Sequence, residues 1–263
     1  ITDFFSRRLA LPNFSRLRIS GPGKKSVVGI AIGVAVFAAL YYPIGMMMIH
    51  GVNDDINYSP PAAEVPKGAS FSVAATAGLI GREVETARWT ANDPWFLPGA
   101  ALDNMPNFQQ GVISALARFA FELTDQIGRT RGSSQTDTDL QEAAGLLQYS
   151  GTKWVFDFST SLAPTATSEA QYLKAQRSLL SFNKRLASGD AVFDRRADNL
   201  MATLDRMALD LGSSSAALDS HIATHGGSVF DFQADDLYYN VKGQLYGYTI
   251  LLREIARDFE NVI

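Results

Sequence analysis

The feature that most limits this chain is a stretch without charge. From Ser26 to Ile49 it reads SVVGIAIGVAVFAALYYPIGMMMI, 24 residues with no Lys, Arg, Asp or Glu, set between Lys25 and His50. As a helix rising about 1.5 Å per residue it reaches roughly 36 Å, enough to cross a hydrocarbon core of about 30 Å with some tilt. Residues 1–25 carry six basic side chains against one acid, and residues 51–263 carry 17 basic and 26 acidic ones. A positive head, an apolar bar and an acidic body predict a single-pass membrane protein with the head in the cytoplasm. The competing assignment, a cleaved signal peptide, calls for an apolar region of about 7–15 residues and a small-residue cleavage site. This bar is longer and no A-x-A site follows it, so a retained span is expected.

Four segments follow: a basic cytoplasmic segment 1–25, a transmembrane helix 26–49, a linker 50–69 and a periplasmic all-α domain 70–263. In the first, Phe4, Phe5, Leu9, Leu11, Phe14 and Leu17 alternate irregularly with arginines around Pro12, a pattern suited to the membrane surface. In the second, Tyr41 and Tyr42 approach the far side and Pro43 is expected to kink or end the helix. Gly29 and Gly33, with Ala31 and Ala35, form small-residue stripes against which another transmembrane helix could pack; such residues are also simply common in spans. The third is rich in Pro and Gly (Pro60, Pro61, Pro66, Gly68) and is expected to lift the body off the membrane.

The body is helical in period. Phe71 to Thr86 is a predicted helix with a poorly defined apolar face, and residues 88–106 are a long loop. Val112, Leu116, Phe119, Leu123 and Ile127 then mark one helix face, with Pro106 in its first turn. Thr138 with Gln141, and Ser168 with Gln171, have the spacing of capping boxes. The helix after Ser168 carries Tyr172, Ala175, Leu179, Phe182 and Leu186 and stops at Gly189. Trp154-Val155-Phe156, before it, is a possible short strand. Asp194 precedes a helix with Ala197, Leu200, Leu204, Met207 and Leu211 on one face and a possible bend at Gly212. Leu237, Val241, Leu245, Tyr248, Leu252, Ile255 and Phe259 give the last helix a heptad-like face. An all-α fold results, one transmembrane helix followed by a helical bundle large enough for a real core. The chain has no cysteine, which excludes disulfides, thiol catalysis and Cys-ligated metals, and its acidic body argues against nucleic acid.

Several runs resemble one bacterial family. They are Arg88-Trp89-Thr90-Ala91-Asn92-Asp93-Pro94-Trp95-Phe96, Leu102-Asp103-Asn104-Met105-Pro106-Asn107-Phe108-Gln109, Gly128-Arg129-Thr130-Arg131-Gly132-Ser133-Ser134 and Leu251-Leu252-Arg253-Glu254. The family is the domain of unknown function numbered 2333, and the likeness runs over nearly the whole chain. It implies an inner-membrane protein of Gram-negative bacteria with a periplasmic body, and it implies no activity.

Candidate chemistry is sparse. The 88–108 loop gathers Trp89, Asp93, Trp95, Phe96, Asp103 and Asn104. Tryptophan suits a protein interface, tryptophan with a carboxylate suits a sugar, and either ring can simply pack on the bundle. Arg129, Arg131 and Ser133, with Ser134, are a donor-rich loop able to hold an anion, or arginines favourable at a helix C-terminus. His221 and His225, with Asp219 before them, have metal-ligand spacing, but Ile222 stands where the metalloprotease pattern needs Glu. Glu122 follows Phe119-Ala120-Phe121 and suits a general acid, while Arg118 four residues earlier suits an ordinary ion pair. Gly23-Lys24-Lys25-Ser26 lacks the earlier glycine of a phosphate loop, and no cofactor is expected. Asp235 and Asp236 open the last helix, with too few oxygen ligands for calcium.

The expected function is a non-enzymatic accessory or scaffold subunit of a larger inner-membrane complex, with lipid and other membrane subunits as partners. The alternative is an envelope binding module or hydrolase acting on cell-wall glycan or lipid.

Overall fold

The computed structural model describes residues 23–61, 65–128, 136–157, 163–225 and 231–263. The anion loop Arg129, Arg131 and Ser133 lies outside them. Two compact units divide the chain, Ile1–Tyr41 and Tyr42–Ile263. Among the described residues there are seven α-helices and no strand: α1 (Lys24–Ile49), α2 (Phe71–Gly81), α3 (Asn104–Glu122), α4 (Thr138–Leu147), α5 (Ser168–Ser188), α6 (Ala197–His225) and α7 (Phe232–Asp258). α1 is long and apolar enough to cross a bilayer, with mean hydropathy 2.2 over Lys25–Ile49. Pro43 sits inside it and does not end it. In the first unit Gly29, Ala31, Gly33 and Ala35 are exposed, and nothing lies within 4 Å of either glycine's missing Cβ.

In the body, α2 packs against α5 and α7, α3 against α4 and α7, and α6 against α7. The poorly defined face of α2 has a simple cause. Val73, Ala74, Ala75, Ala77, Leu79 and Ile80 are all buried, so the helix is enclosed on every side. Its N-terminus is capped from the far end of the chain. The Asp258 carboxylate accepts bonds from Phe71 N (2.8 Å), Ser72 N (2.9 Å), Ser70 Oγ (2.7 Å) and Ser72 Oγ (2.6 Å). The faces expected for α3 and α5 are buried as the period predicts, and Gly189 (φ 84°) ends α5 in the left-handed conformation.

Several details differ from the sequence expectations. Both caps lie one residue early: Asp137 accepts from Asp139 N and Leu140 N, and Thr167 accepts from Ala170 N. Ser168 is instead buried and ties the preceding loop, donating to Ser150 O and accepting from Lys153 N. Trp154-Val155-Phe156 is not a strand; Val155 O accepts a bond from Thr165 N across the loop. α6 runs unbroken through Gly212.

The heptad phase of α7 is also displaced. Leu245 and Leu252 are exposed, while Tyr246, Ile250 and Leu251 join Tyr248, Ile255 and Phe259 in the core. The reason is the crossing with α3. A Cβ on Gly243 would lie 2.1 Å from Phe108 O, and one on Gly111 2.0 Å from Asn240 O. Small residues, and not the leucines, face the neighbour because only they permit this approach. The 50–69 segment likewise holds to the body. Tyr246 donates to Asp55 O (3.0 Å), Arg253 donates to Ile56 O and Tyr58 O, and Lys242 pairs with Asp54.

Candidate functional site

The 88–108 loop is sorted by its surroundings. Trp89 is a core residue, 1% exposed, donating Nε1–H to Gly151 O (2.8 Å) and meeting Tyr172 edge-on. Asp93 pairs with Arg88, whose φ of 64° is the sole positive value at a non-glycine among the described residues. Burial pushes the Asp93 carboxyl up, and Arg88 only partly offsets it. Asp103 caps α3 by accepting from Asn104 N, and the Asn104 amide lies between the carboxylates of Asp103 and Asp235. These four residues are accounted for structurally.

Trp95 and Phe96 differ. Trp95 is 81% exposed and Phe96 43%. Trp95 meets Phe96, Phe96 meets Trp154, and Trp154 meets Phe156, each pair edge-on with centroids 5.7 Å apart. The result is an exposed aromatic ladder built from two loops. Asn92 couples them: its amide donates to Lys153 O (2.8 Å) and to Glu169 Oε2 (2.7 Å). The ladder also sits on the end of α1. Tyr42 donates its hydroxyl to Trp95 O, and a Cβ on Gly45 would fall 2.3 Å from Pro98 Cγ. Trp154 and Phe156 escaped the sequence search because only tertiary folding brings them beside Phe96. The legible signal was composition: Pro94 to Leu102 is PWFLPGAAL, nine residues without a charge.

A cleft of about 620 Å³ lies nearby, lined by Met48, Ile49, Asp54, Arg82, Thr86 and Arg88 among others. Arg82 is engaged on every side. It donates to Glu83 Oε1 and Tyr246 Oη, and its guanidinium lies 5.2 Å from the Tyr58 ring centroid and 4.8 Å from that of Tyr246. Burial pushes Glu83 up despite Arg82. The cluster sits on a π-helical turn, Arg82–Thr86, that continues α2 and turns Arg82, Glu83 and Val84 all inward.

The expected Arg118–Glu122 ion pair does not form. Arg118 Nε bonds Asp210 Oδ2 of α6 (3.0 Å), which also accepts from Tyr248 Oη (2.7 Å). Glu122 is 3% exposed, and among the described residues its one ion pair is with Arg206 at 4.0 Å. Burial pushes its carboxyl up, with Arg206 and Arg118 opposing. Asp210 and Arg118 line a polar cleft of about 300 Å³, and Glu122 is outside that lining. His221 Nε2 is 2.7 Å from Asp231 Oδ2, stacks on His225 and so bridges α6 to the start of α7. The His221 bond holds Asp231 below the usual carboxylate range. Among the described residues no group of three His, Cys, Asp or Glu is placed to hold a metal.

A family model described as an uncharacterized protein conserved in bacteria, DUF2333, matches residues 85–231, more than half of the chain. The chain belongs to the DUF2333 family. The match spans both aromatic loops and α3 to α6 of this DUF2333 protein, so the likeness is shown for that region and not for α1 or the Leu251-Leu252-Arg253-Glu254 run. Comparisons with curated proteins and with solved structures return no match.

Proposed function

We propose that this DUF2333 protein is a membrane-anchored periplasmic accessory or scaffold subunit of a larger inner-membrane complex, with no catalysis of its own. One observation carries the reading. α6 has 29 residues, yet only Thr203 and Met207 are fully buried. Leu200, Met207 and Leu211 hold it to the body, while Met201 (58%), Leu209 (63%) and Ile222 (64%) face outward. A long helix with this little core contact, carrying three exposed large apolar side chains among its aspartates, suits a partner subunit. The apolar run of α1 supports the anchor, and the six basic side chains of residues 1–25 support its orientation.

A photo-cross-linking side chain at Leu209 or Ile222, activated in intact membranes, is expected to trap one discrete partner. The same probe at Glu260 serves as the comparison. Only monomer at all three positions, with a monomeric detergent extract, overturns the reading. The alternative, an envelope binding module or hydrolase, needs a carboxylate in a cleft beside the exposed tryptophan. Neither cleft is lined by Trp95, and Asp93 is held by Arg88. Incubation with cell-wall sacculi, read as binding or released fragments, tests it directly.

A further inference from the structure

We propose that the loop Pro94–Leu102, with Trp154 and Phe156, inserts into the headgroup–acyl boundary of the bilayer and seats the body on the outer face of the membrane. The inference rests on α1 being a retained span. Three observations on the body carry it.

The first is height. By sequence alone, the apolar run reaches Tyr42 roughly 26 Å after Lys25 if helical at about 1.5 Å per residue, against a hydrocarbon core of about 30 Å. The apolar run then continues to Ile49, and Met47 (86%) and Met48 (82%) are exposed beyond Tyr42. Trp95 is bonded to Tyr42 and Pro98 packs on Gly45. Within the body the loop is therefore held on the Tyr42 side of those two exposed methionines, and Tyr and Trp are the rings that concentrate at a membrane interface.

The second is chemistry. PWFLPGAAL has no charge, and Trp95, Phe96, Ala100 and Ala101 are its exposed members. Phe156 adds a ring, also 43% exposed. Of the flanking charges, Arg88 pairs with Asp93 and Lys153 with Asp157, while Asp103 is taken up in capping α3.

The third is the backbone. An inserted loop must satisfy its own polar groups. Leu97 N bonds Pro94 O, Ala100 N bonds Leu97 O and Leu102 N bonds Gly99 O. Pro94 and Pro98 have no N–H to satisfy. Trp95 O is taken by Tyr42. These bonds lower the cost of taking the loop out of water.

The chain has no cysteine, so one introduced thiol labels specifically. Ala100→Cys, Phe37→Cys and Leu209→Cys, each in the full chain, take a nitroxide and are reconstituted into phosphatidylethanolamine–phosphatidylglycerol vesicles. Collision with oxygen is then compared with collision with a water-soluble nickel chelate. The oxygen-to-nickel ratio at Ala100 should exceed that at Leu209 by on the order of threefold, since the boundary holds little bulk water. Phe37, on α1, reports the anchor separately. A lipid-like ratio at Phe37 with a water-like one at Ala100 overturns the insertion and leaves the anchor standing. Water-like ratios at both overturn the anchor as well. Exclusion of both relaxers at Ala100 means that protein covers the loop, and also overturns the proposal.

Discussion

Gly243→Ala tests the α3–α7 crossing. The added methyl would lie 2.1 Å from Phe108 O and 3.0 Å from Val112 N, whereas ordinary contact begins near 3.4 Å. Both obstructing atoms belong to the α3 backbone, which cannot turn aside as a side chain can. The helices must part by about 1 Å, and a gap of that size forfeits a quarter to a half of each contact across the seam. Phe108, Val112, Ala115, Leu116, Tyr246 and Ile250 are buried there. The cost belongs at the top of the overpacking range, about 3 kcal/mol. Alanine returns about 1 kcal/mol of helix propensity, leaving a net loss of about 2 kcal/mol. For a domain of this size that lowers Tm by about 4–8 °C. Gly212→Ala is the matched control, because nothing lies within 4 Å of its Cβ position. It should raise Tm by about 2–4 °C, the same propensity gain without the clash. Thermal melting of the full chain in detergent, followed by far-ultraviolet circular dichroism, reads both. If Gly243→Ala melts with or above the parent, the close crossing is wrong and the exposed phase of Leu245 and Leu252 needs another cause.

Asp258→Ala removes the acceptor of four bonds, leaving the Phe71 and Ser72 N–H groups without it and the Ser70 and Ser72 hydroxyls with each other; a loss of about 3 kcal/mol is expected, with hydrogen exchange of the Phe71 and Ser72 amides accelerated. Trp89→Phe should cost about 2 kcal/mol by orphaning Gly151 O and opening a void, while Trp95→Ala stays within about 0.5 kcal/mol; chemical unfolding of the two side by side checks the division of the loop into core and surface. Glu122 titrates in the opposite sense from a salt-bridged acid. Burial raises its carboxyl, so the ionised form costs stability above the folded pKa, and that cost vanishes below the unfolded value of about 4.3. Glu122→Gln should therefore melt above the parent at neutral pH, with the gap closing towards about pH 4. A gap that widens on acidification would show that the carboxylate is stabilising.

The parts legible in the sequence were those set by local period and by composition. Val112 to Ile127 and Tyr172 to Leu186 repeat every three or four residues, and those side chains are buried. The apolar bar at 26–49 needed only its length. Errors of one residue at Asp137 and Thr167 arose because several Ser, Thr and Asp side chains lie in each approach. The loop bonds of Ser168 take it out of competition, and a sequence does not display those bonds. Arg118 offered a partner at the right spacing, yet Asp210 and Tyr248 from other helices claimed or surrounded it.

The sequence by itself determined that this chain has a long apolar helix and an acidic all-α body, because charge content and helical period are properties of neighbours along the chain. Tertiary structure decided what the periods could not express. It placed Trp89 inside and Trp95 outside, although they are six residues apart in one loop. It joined Trp95 and Phe96 to Trp154 and Phe156 and set the group against Tyr42. It also chose the small-residue face of α7 over the leucine face, because the distance between two helix axes is set by the smallest residues on both.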